Sequence, residues 1–244
     1  MNYKPFNHIN SSKKEQITTM FNRIASTYDR LNNLITFGMD NRWRKQVASI
    51  ISKKHPKDVL DIATGTGAIA IDLANQTAAK IVGVDISKEM LDIGEKKIKS
   101  LSLEKQISMQ LDDAEALSFN ASNFDAVSVG FGVRNFEDLH QGLTEIYRVL
   151  KPGGLLVILE TSVPKYFPFK QGYHFYSKWV IPSLGKIFSS DKLAYEYLSG
   201  SASVFPHGKD FNTILRENNF IDIIDSPKFF GIVSIYSATK PVDN

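Results

Sequence analysis

Between Asp58 and Asp85 the chain reads DVLDIATGTGAIAIDLANQTAAKIVGVD, and this stretch narrows the choice of folds more than any other. Val59 to Ile62 is a short apolar run that ends in Ala63-Thr64-Gly65-Thr66-Gly67, after which Ala68 to Ala74 has helix formers at helical spacing. A second apolar run, Ile81 to Val84, closes on Asp85. The spacing therefore predicts strand, tight glycine turn, helix and strand, a βαβ unit with an acid at the tip of its second strand. Glycine lacks a Cβ, so Gly65 and Gly67 can take positive φ and let the backbone approach a ligand where the helix starts.

Two cofactor classes use such a turn. Gly65-x-Gly67-x-x-Ala70, with Asp85 about 20 residues further on, fits the looser dinucleotide fingerprint. Asp61 shifts the balance. A carboxylate four residues before the first glycine would repel a pyrophosphate, but it suits the amino group of a methionine moiety. That favours S-adenosyl-L-methionine, with Asp85 accepting from the ribose hydroxyls. The bland alternative for Asp61 is a turn-forming or capping Asp.

At 244 residues and 43% apolar content, the chain suits one α/β domain with additions, and no linker divides it. The expected parts are an N-terminal helical cover (1–55), a cofactor-binding core (56–160), an aromatic-rich insertion (161–205) and a C-terminal helix with strands (206–244). The 29 basic and 26 acidic residues are too evenly balanced to imply nucleic acid. The absence of cysteine excludes disulfides, thiolate metal sites and a cysteine nucleophile. His8, His55, His140, His174 and His207 are scattered without metal-ligand spacing, so no metal is expected. The polar start lacks the core of a signal peptide, and Leu155 to Leu159 falls far short of the ~20 apolar residues of a spanning helix. A cytoplasmic protein is expected.

Along the chain, residues 1–10 read as frayed. A helix follows from Ser11 to about Ala25 and breaks at Ser26 to Asn33, where polar side chains favour turns. Asp40 is expected to cap a helix over Asn41 to Lys53. Ser87 to Ser100 reads as a helix with Ser87 at its N-cap, Ile107 to Leu111 as the third strand and Phe124 to Val129 as the fourth. A helix over Leu139 to Leu150 is stopped by Lys151-Pro152-Gly153-Gly154, and Leu155 to Glu160 is the fifth strand. Seven aromatic residues then fall between Tyr166 and Trp179: a helix packing on the sheet, a lid around a bulky apolar substrate dipping toward a membrane surface, or both. Asp210 to Glu217 reads as a helix, Phe220 to Asp225 as a sixth strand and Phe229 to Ala238 as a seventh, returning antiparallel by a hairpin. The alternation predicts a doubly wound, mostly parallel sheet.

Three further stretches carry a resemblance: Phe21 to Asn32 (FNRIASTYDRLN), Phe131 to Asn135 (FGVRN) and the less specific Tyr147 to Gly154 (YRVLKPGG). With the glycine turn they resemble class I S-adenosyl-L-methionine-dependent methyltransferases, and more closely the ubiquinone/menaquinone biosynthesis C-methyltransferases, over nearly the whole chain. The resemblance implies a Rossmann-like seven-stranded sheet with an antiparallel last strand, N-terminal helices and a helical lid. It implies cofactor binding by Thr66, Asp85, Asp113 and Ala114 beside the glycine turn of Gly65 and Gly67, and Asp61, Ile86 and Gly130 are the further candidates for the cofactor site. Asp113 suits the adenine amino group, Ala114 offers a backbone amide and Thr66 a hydroxyl. Ala68 stands where relatives often carry an acid, and Gly130 where some carry serine.

The reaction so implied transfers a methyl group to a ring carbon of a polyprenylated quinol, which requires electron density pushed into the ring by loss of a hydroxyl proton. Demethylmenaquinol is the expected acceptor, with 2-methoxy-6-polyprenyl-1,4-benzoquinol as the alternative; peripheral membrane contact and a homo-oligomer are compatible with it. Tyr28, Asp29, Arg134 and Asn135 are the candidates for the proton's route. Arg134 stays protonated, so its part is to stabilise a phenolate or organise a water. Their bland alternatives are a turn at Tyr28-Asp29 and a helix start capped by Asn135. The rival from another class is a nicotinamide oxidoreductase, for which Tyr147-x-x-x-Lys151 mimics a catalytic pair.

Overall fold

The structure is a computed structural model that describes residues 3–6, 10–164, 166–176, 179 and 192–242. Residues 180–191, with 165, 177 and 178, are the part of the aromatic-rich insertion that lies outside the described residues, as does His8. Seven strands form one sheet: β1 (Asp58–Ile62), β2 (Lys80–Asp85), β3 (Ile107–Leu111), β4 (Phe124–Gly130), β5 (Leu150–Thr161), β6 (Ile221–Lys228) and β7 (Val233–Thr239). Their order across the sheet is β3-β2-β1-β4-β5-β7-β6. The first five pair in parallel, while β7 is antiparallel to both β5 and β6. The helices are α1 (Lys13–Ile35), α2 (Met39–Ser52), α3 (Ala68–Ala74), α4 (Lys88–Ser100), α5 (Leu139–Val149), α6 (Phe169–Phe175), α7 (Lys192–Val204) and α8 (Lys209–Glu217).

Because side chains alternate across a strand, the apolar runs serve two cores at once. Val59, Ile81, Ala126 and Val157 meet Trp43, Val47 and Ile51 of α2 and Ile69 and Leu73 of α3 on one face. Leu60, Val84, Val127 and Ile158 meet Leu143 and Ile146 of α5 and Phe211 and Leu215 of α8 on the other. A third cluster holds α1 in place through Ile17, Met20, Ile24 and Leu31 with Phe6, Met90 and Tyr197. Strand β1 lies between β2 and β4, so the order of building reverses there, and the crevice at the carboxyl ends of these strands is where such sheets take ligands.

Several boundaries differ from those expected. Helix α1 does not break at Ser26 but runs on to Ile35. Tyr28, Leu31 and Ile35 continue the spacing of Ile24 into the third cluster, and Thr27 turns its hydroxyl back to the Ile24 carbonyl, so burial outweighs polar turn chemistry. The cap before α2 is Gly38 at φ 73°, not Asp40, which lies inside the first turn and is buried. Helix α5 is capped by Asp138, which accepts from the His140 and Gln141 amides, rather than by Asn135. Strand β5 begins at Leu150 because Leu150 already bridges Phe124. Phe229 to Gly231 form a 3-10 turn with positive φ, so β7 starts only at Val233, and β6 extends to Lys228. The frayed terminus fails at residues 3–6: the Phe6 amide donates to Gln16 Oε1, and the Tyr3 ring lies 5.7 Å from that of Tyr197. Residues 1, 2 and 7–9 lie outside the described residues.

Candidate active site

The glycine turn holds the geometry its composition predicts. Gly65 and Gly67 have φ of 56° and 80°, and the Gly65 amide donates to Asp85 Oδ2 at 2.8 Å. The Ser87 amide donates to Oδ1 at 2.9 Å, so both carboxylate oxygens are oriented from the backbone. Burial raises the pKa of Asp85 against these amide bonds. A cleft of about 700 Å³, counted out to its mouth, opens over the strand ends, and Gly65, Asp85, Ile86, Asp113, Ala114, Gly130 and Asn135 line it. Helix α1 covers the cleft with Lys14, Ile17, Phe21 and Tyr28. The Lys14 ammonium donates to Asp113 Oδ2, while Oδ1 takes the Glu115 amide.

Three residues expected at the cofactor do not line this cleft. Asp61 is enclosed, its Oδ2 taken by the Thr64 hydroxyl at 2.6 Å and its Oδ1 by that of Ser128 at 2.7 Å. Gly67 shapes the turn from behind, against Met109. The Thr66 hydroxyl donates to Asp29 Oδ1 at 2.7 Å and accepts from Lys97, which also pairs with Asp29. Asp29 thus ties α1 to the glycine turn and to α4, and it lines neither the cleft nor the chamber beside it.

Burial pushes the Asp61 carboxyl up to about 6, against the two hydroxyls that stabilise its charge. The folded state therefore holds this proton more tightly than the unfolded chain, and Asp61's own contribution to stability falls as pH rises from about 4 to about 6. Each pKa unit corresponds to about 1.4 kcal/mol. Asp61→Asn should consequently gain stability relative to the native protein as pH rises through that window. Urea titrations of both proteins at pH 4 and pH 7 measure it, and a pH-independent difference would refute the assignment.

The second space is an apolar chamber of about 1230 Å³ counted to its mouth, which shares Tyr28 and Phe131 with the cleft. Asn32, Ile35, Phe37, Trp43, Tyr173, Tyr176, Leu198 and Phe229 line it, so α6 and α7 serve as part of its cover. Arg134 reaches it from the loop after β4. Its Nη1 donates to Glu160 Oε1 at 2.6 Å and to the Phe131 carbonyl at 2.8 Å. The two side chains are 6% and 0% exposed, and Arg134 Nε and Glu160 Oε2 are left without hydrogen-bond partners. Burial by itself lowers the guanidinium's pKa, but the Glu160 carboxylate together with the neighbouring Tyr28 and Tyr197 more than offsets this and holds it above its usual value. Beneath the loop, the buried Lys13 ammonium donates to the carbonyls of Arg134 and Phe136, and desolvation pulls its pKa down to about 8. Asn135 accepts from the Tyr197 hydroxyl at 3.2 Å.

Sequence reading did not place Glu160 or Lys14 at the site, and it gave the chamber's Asp40 only as a helix cap. The available signal for Glu160 was an acid at the end of an otherwise apolar strand. Tyr147 and Lys151, the mimic of a dehydrogenase pair, lie away from both spaces. Lys151 bonds Asp125 and Asp58 at the amino ends of β4 and β1, and Tyr147 packs on Phe220.

A doubly wound sheet whose switch point joins a glycine turn, a strand-tip acid and an adjoining aromatic chamber is the architecture of class I S-adenosyl-L-methionine-dependent methyltransferases, and the family match selects that class over the nicotinamide enzymes. The chain belongs to the ubiE/COQ5 methyltransferase family, whose model matches residues 9–240. It is 42% identical to the demethylmenaquinone methyltransferase of Bacteroides fragilis over 98% of this chain and 100% of that one. It is 41% identical to the ubiquinone/menaquinone biosynthesis C-methyltransferase UbiE of Geobacter sulfurreducens over 94% of this chain and 90% of that one. Among solved structures it is similar in fold to a possible histamine N-methyltransferase of Thermotoga maritima, with TM-score 0.62 and 18% identity, covering 92% and 99% of the two chains. The nicotinamide reading falls with these matches.

Proposed function

We propose that the protein transfers the methyl group of S-adenosyl-L-methionine to a ring carbon of demethylmenaquinol, giving menaquinol. The observation that carries this reading is the junction of the two spaces at Tyr28 and Phe131: a cleft with acids at the strand tips meets a larger chamber lined by aromatic rings, which suits an apolar ring with a lipid tail. Family membership and the printed names of the relatives support the same chemistry.

In this reading Asp85 accepts from the two ribose hydroxyls, Asp113 from the adenine amino group, and the Ala114 amide completes the adenine site. Gly65 and Gly130 let the methionine part approach, Ile86 packs beside the ribose, and Thr66 and Gly67 hold the turn that shapes the site. Asp61 steers the methionine amino group only through Thr64 or a water, since it is enclosed behind the turn and does not line the cleft. The bound cofactor supplies an electrophilic methyl with its own leaving group, so the protein's work is alignment and management of one proton. Arg134, Asn135 and Tyr28 orient the quinol oxygen at the junction, and Asp29 keeps Tyr28 there by anchoring α1.

A lipid-tailed acceptor also gives a use to the exposed aromatic rings around the chamber. Phe37 is 78% exposed and leans on Tyr176, while Phe169 stacks at 4.0 Å on Phe230, next to Phe229 on the lining. These rings would rest on the membrane that holds the quinol. No helix of the described residues is long and apolar enough to cross one. Incubating the protein with S-adenosyl-L-methionine and short-chain forms of the naphthoquinol and the benzoquinol, each read by mass spectrometry, tests the assignment. Methylation of the naphthoquinol is expected; methylation of the benzoquinol alone would replace the acceptor, and methylation of neither would overturn the reading.

A further inference from the structure

Methyl transfer to a ring carbon needs a group that takes up the hydroxyl proton, and Arg134, always protonated, cannot do it. Burial raises the pKa of Tyr28, Tyr173 and Tyr176, which removes them as proton acceptors at neutral pH. Asp29 is committed to Lys97 and Thr66 outside the chamber. Glu160 is turned to Arg134 and Thr161 and does not line the chamber. Among the described residues that line it, one carboxylate remains, and there is no histidine, lysine or cysteine.

That carboxylate is Asp40, in the first turn of α2 and 3% exposed. Arg44, one turn on, donates its Nη1 to Oδ2 at 2.6 Å and fixes the side chain. The Thr36 hydroxyl lies 2.9 Å from Oδ1 and 2.7 Å from the Asn32 carbonyl. It has a single proton to donate, so bonding to Asn32 leaves Oδ1 open to a new donor. The chamber thus brings a cationic donor, Arg134, and an oriented acceptor, Asp40, to one aromatic lining. A quinol hydroxyl that must ionise calls for both, a donor to its oxygen and an acceptor for its proton.

We propose that Asp40 is the general base of the reaction, a role that rests on the quinol assignment above. The proton of the hydroxyl next to the methylated carbon passes to Asp40, directly or through one water. The ring carbon then forms its bond to the methyl as the methyl–sulfur bond breaks, and that electron pair stays on sulfur. The ring C–H proton moves to the neighbouring oxygen to restore the aromatic quinol, and Asp40 releases its proton to solvent, one per methyl transferred. The charged and titratable groups around Asp40 are Arg44 on its own helix, Asp72 of α3 within Arg44's field, and Tyr28, Arg134, Tyr173 and Tyr176 lining the same chamber.

The test uses the full chain, S-adenosyl-L-methionine and a short-chain demethylmenaquinol, with native turnover as the control. Asp40→Asn keeps the size and an acceptor oxygen but loses the base, so kcat at neutral pH should fall by about 10²-fold or more while KM and cofactor affinity hold. The deficit should shrink as pH rises and for a quinol made more acidic by an electron-withdrawing ring substituent, because each supplies phenolate without a base. Asp40→Glu should restore much of kcat, since it keeps both a base and a partner for Arg44; the dependence of the Asp40→Asn deficit on pH and quinol acidity is the readout that a structural role of the Asp40–Arg44 pair would not move. If Asp40→Asn does not fold, Asp40→Ala with Arg44→Met takes its place, since it leaves no buried cation unpaired. A deficit independent of both pH and quinol acidity, or near-native kcat in a folded variant, overturns the role of Asp40 and leaves the quinol assignment standing. Failure of the native protein to methylate the quinol removes both.

Discussion

Arg134→Ala should cost the protein stability as well as turnover, and the two losses have separable causes. Glu160 is fully buried and its ion-pair partner is the Arg134 guanidinium, so truncation strands an uncompensated carboxylate. Breaking a buried pair from one side costs about 3 to 5 kcal/mol. At this size each kcal/mol moves the melting temperature by about 2 to 4 °C, so a drop of roughly 6 to 20 °C is expected. Turnover should fall by about 10²-fold beyond the loss of folded protein, because a fixed donor at the quinol oxygen has gone. The pair is neutral as a whole, so Arg134 acts more by directed hydrogen bonding than by net charge. Arg134→Met combined with Glu160→Met separates the effects: replacing both partners by apolar groups should recover most of the stability and none of the turnover. Arg134→Lys should recover only part of the turnover, since a point charge lacks the planar fork. Melting curves and turnover on a soluble quinol decide it, and near-native turnover in the folded double variant would leave Arg134 a purely structural role.

Asp85→Ala should weaken cofactor binding by about 1.5 to 3 kcal/mol, the worth of charge-assisted hydrogen bonds to the ribose. The structure adds a second cause in the same direction, because Asp85 also receives the Gly65 and Ser87 amides and so shapes the turn that the cofactor contacts. Asp85→Asn keeps part of that scaffold and should lose less. Burial raises the carboxyl's pKa, and only the ionised form accepts from both hydroxyls. Cofactor affinity of the native protein should therefore decline as pH falls, starting at higher pH than for an exposed Asp, and Asp85→Asn should lack that decline. Calorimetry across pH measures all three proteins; unchanged affinity in folded Asp85→Ala would place the ribose elsewhere.

The amino-acid sequence by itself determined what local periodicity and backbone chemistry decide. It placed β1, α3 and β2 around Gly65 and Gly67, put Asp85 and Asp113 at strand tips, made Ser87 the cap of α4, and set an antiparallel strand last. These features depend on alternation within a few residues, on glycine's access to positive φ and on the side-chain chemistry of caps. Tertiary structure decided where long-range burial competes with local preference. The stretch Ser26 to Asn33 has the composition of a turn, yet it is helical because Leu31 and Tyr28 join a cluster that includes Met90 and Tyr197. The partners of the polar groups were equally hidden. Asp61 meets Ser128 from the neighbouring strand, Asp29 meets Lys97 on α4, and Arg134 meets Glu160 across the loop. Asp40 reads as a helix cap on local grounds, but α2 starts two residues earlier, at Met39, and Asp40 lines the chamber from its first turn. Which charge faces which, and which one faces the chamber, follows from how elements distant in sequence lie side by side, and no window of neighbouring residues contains that information.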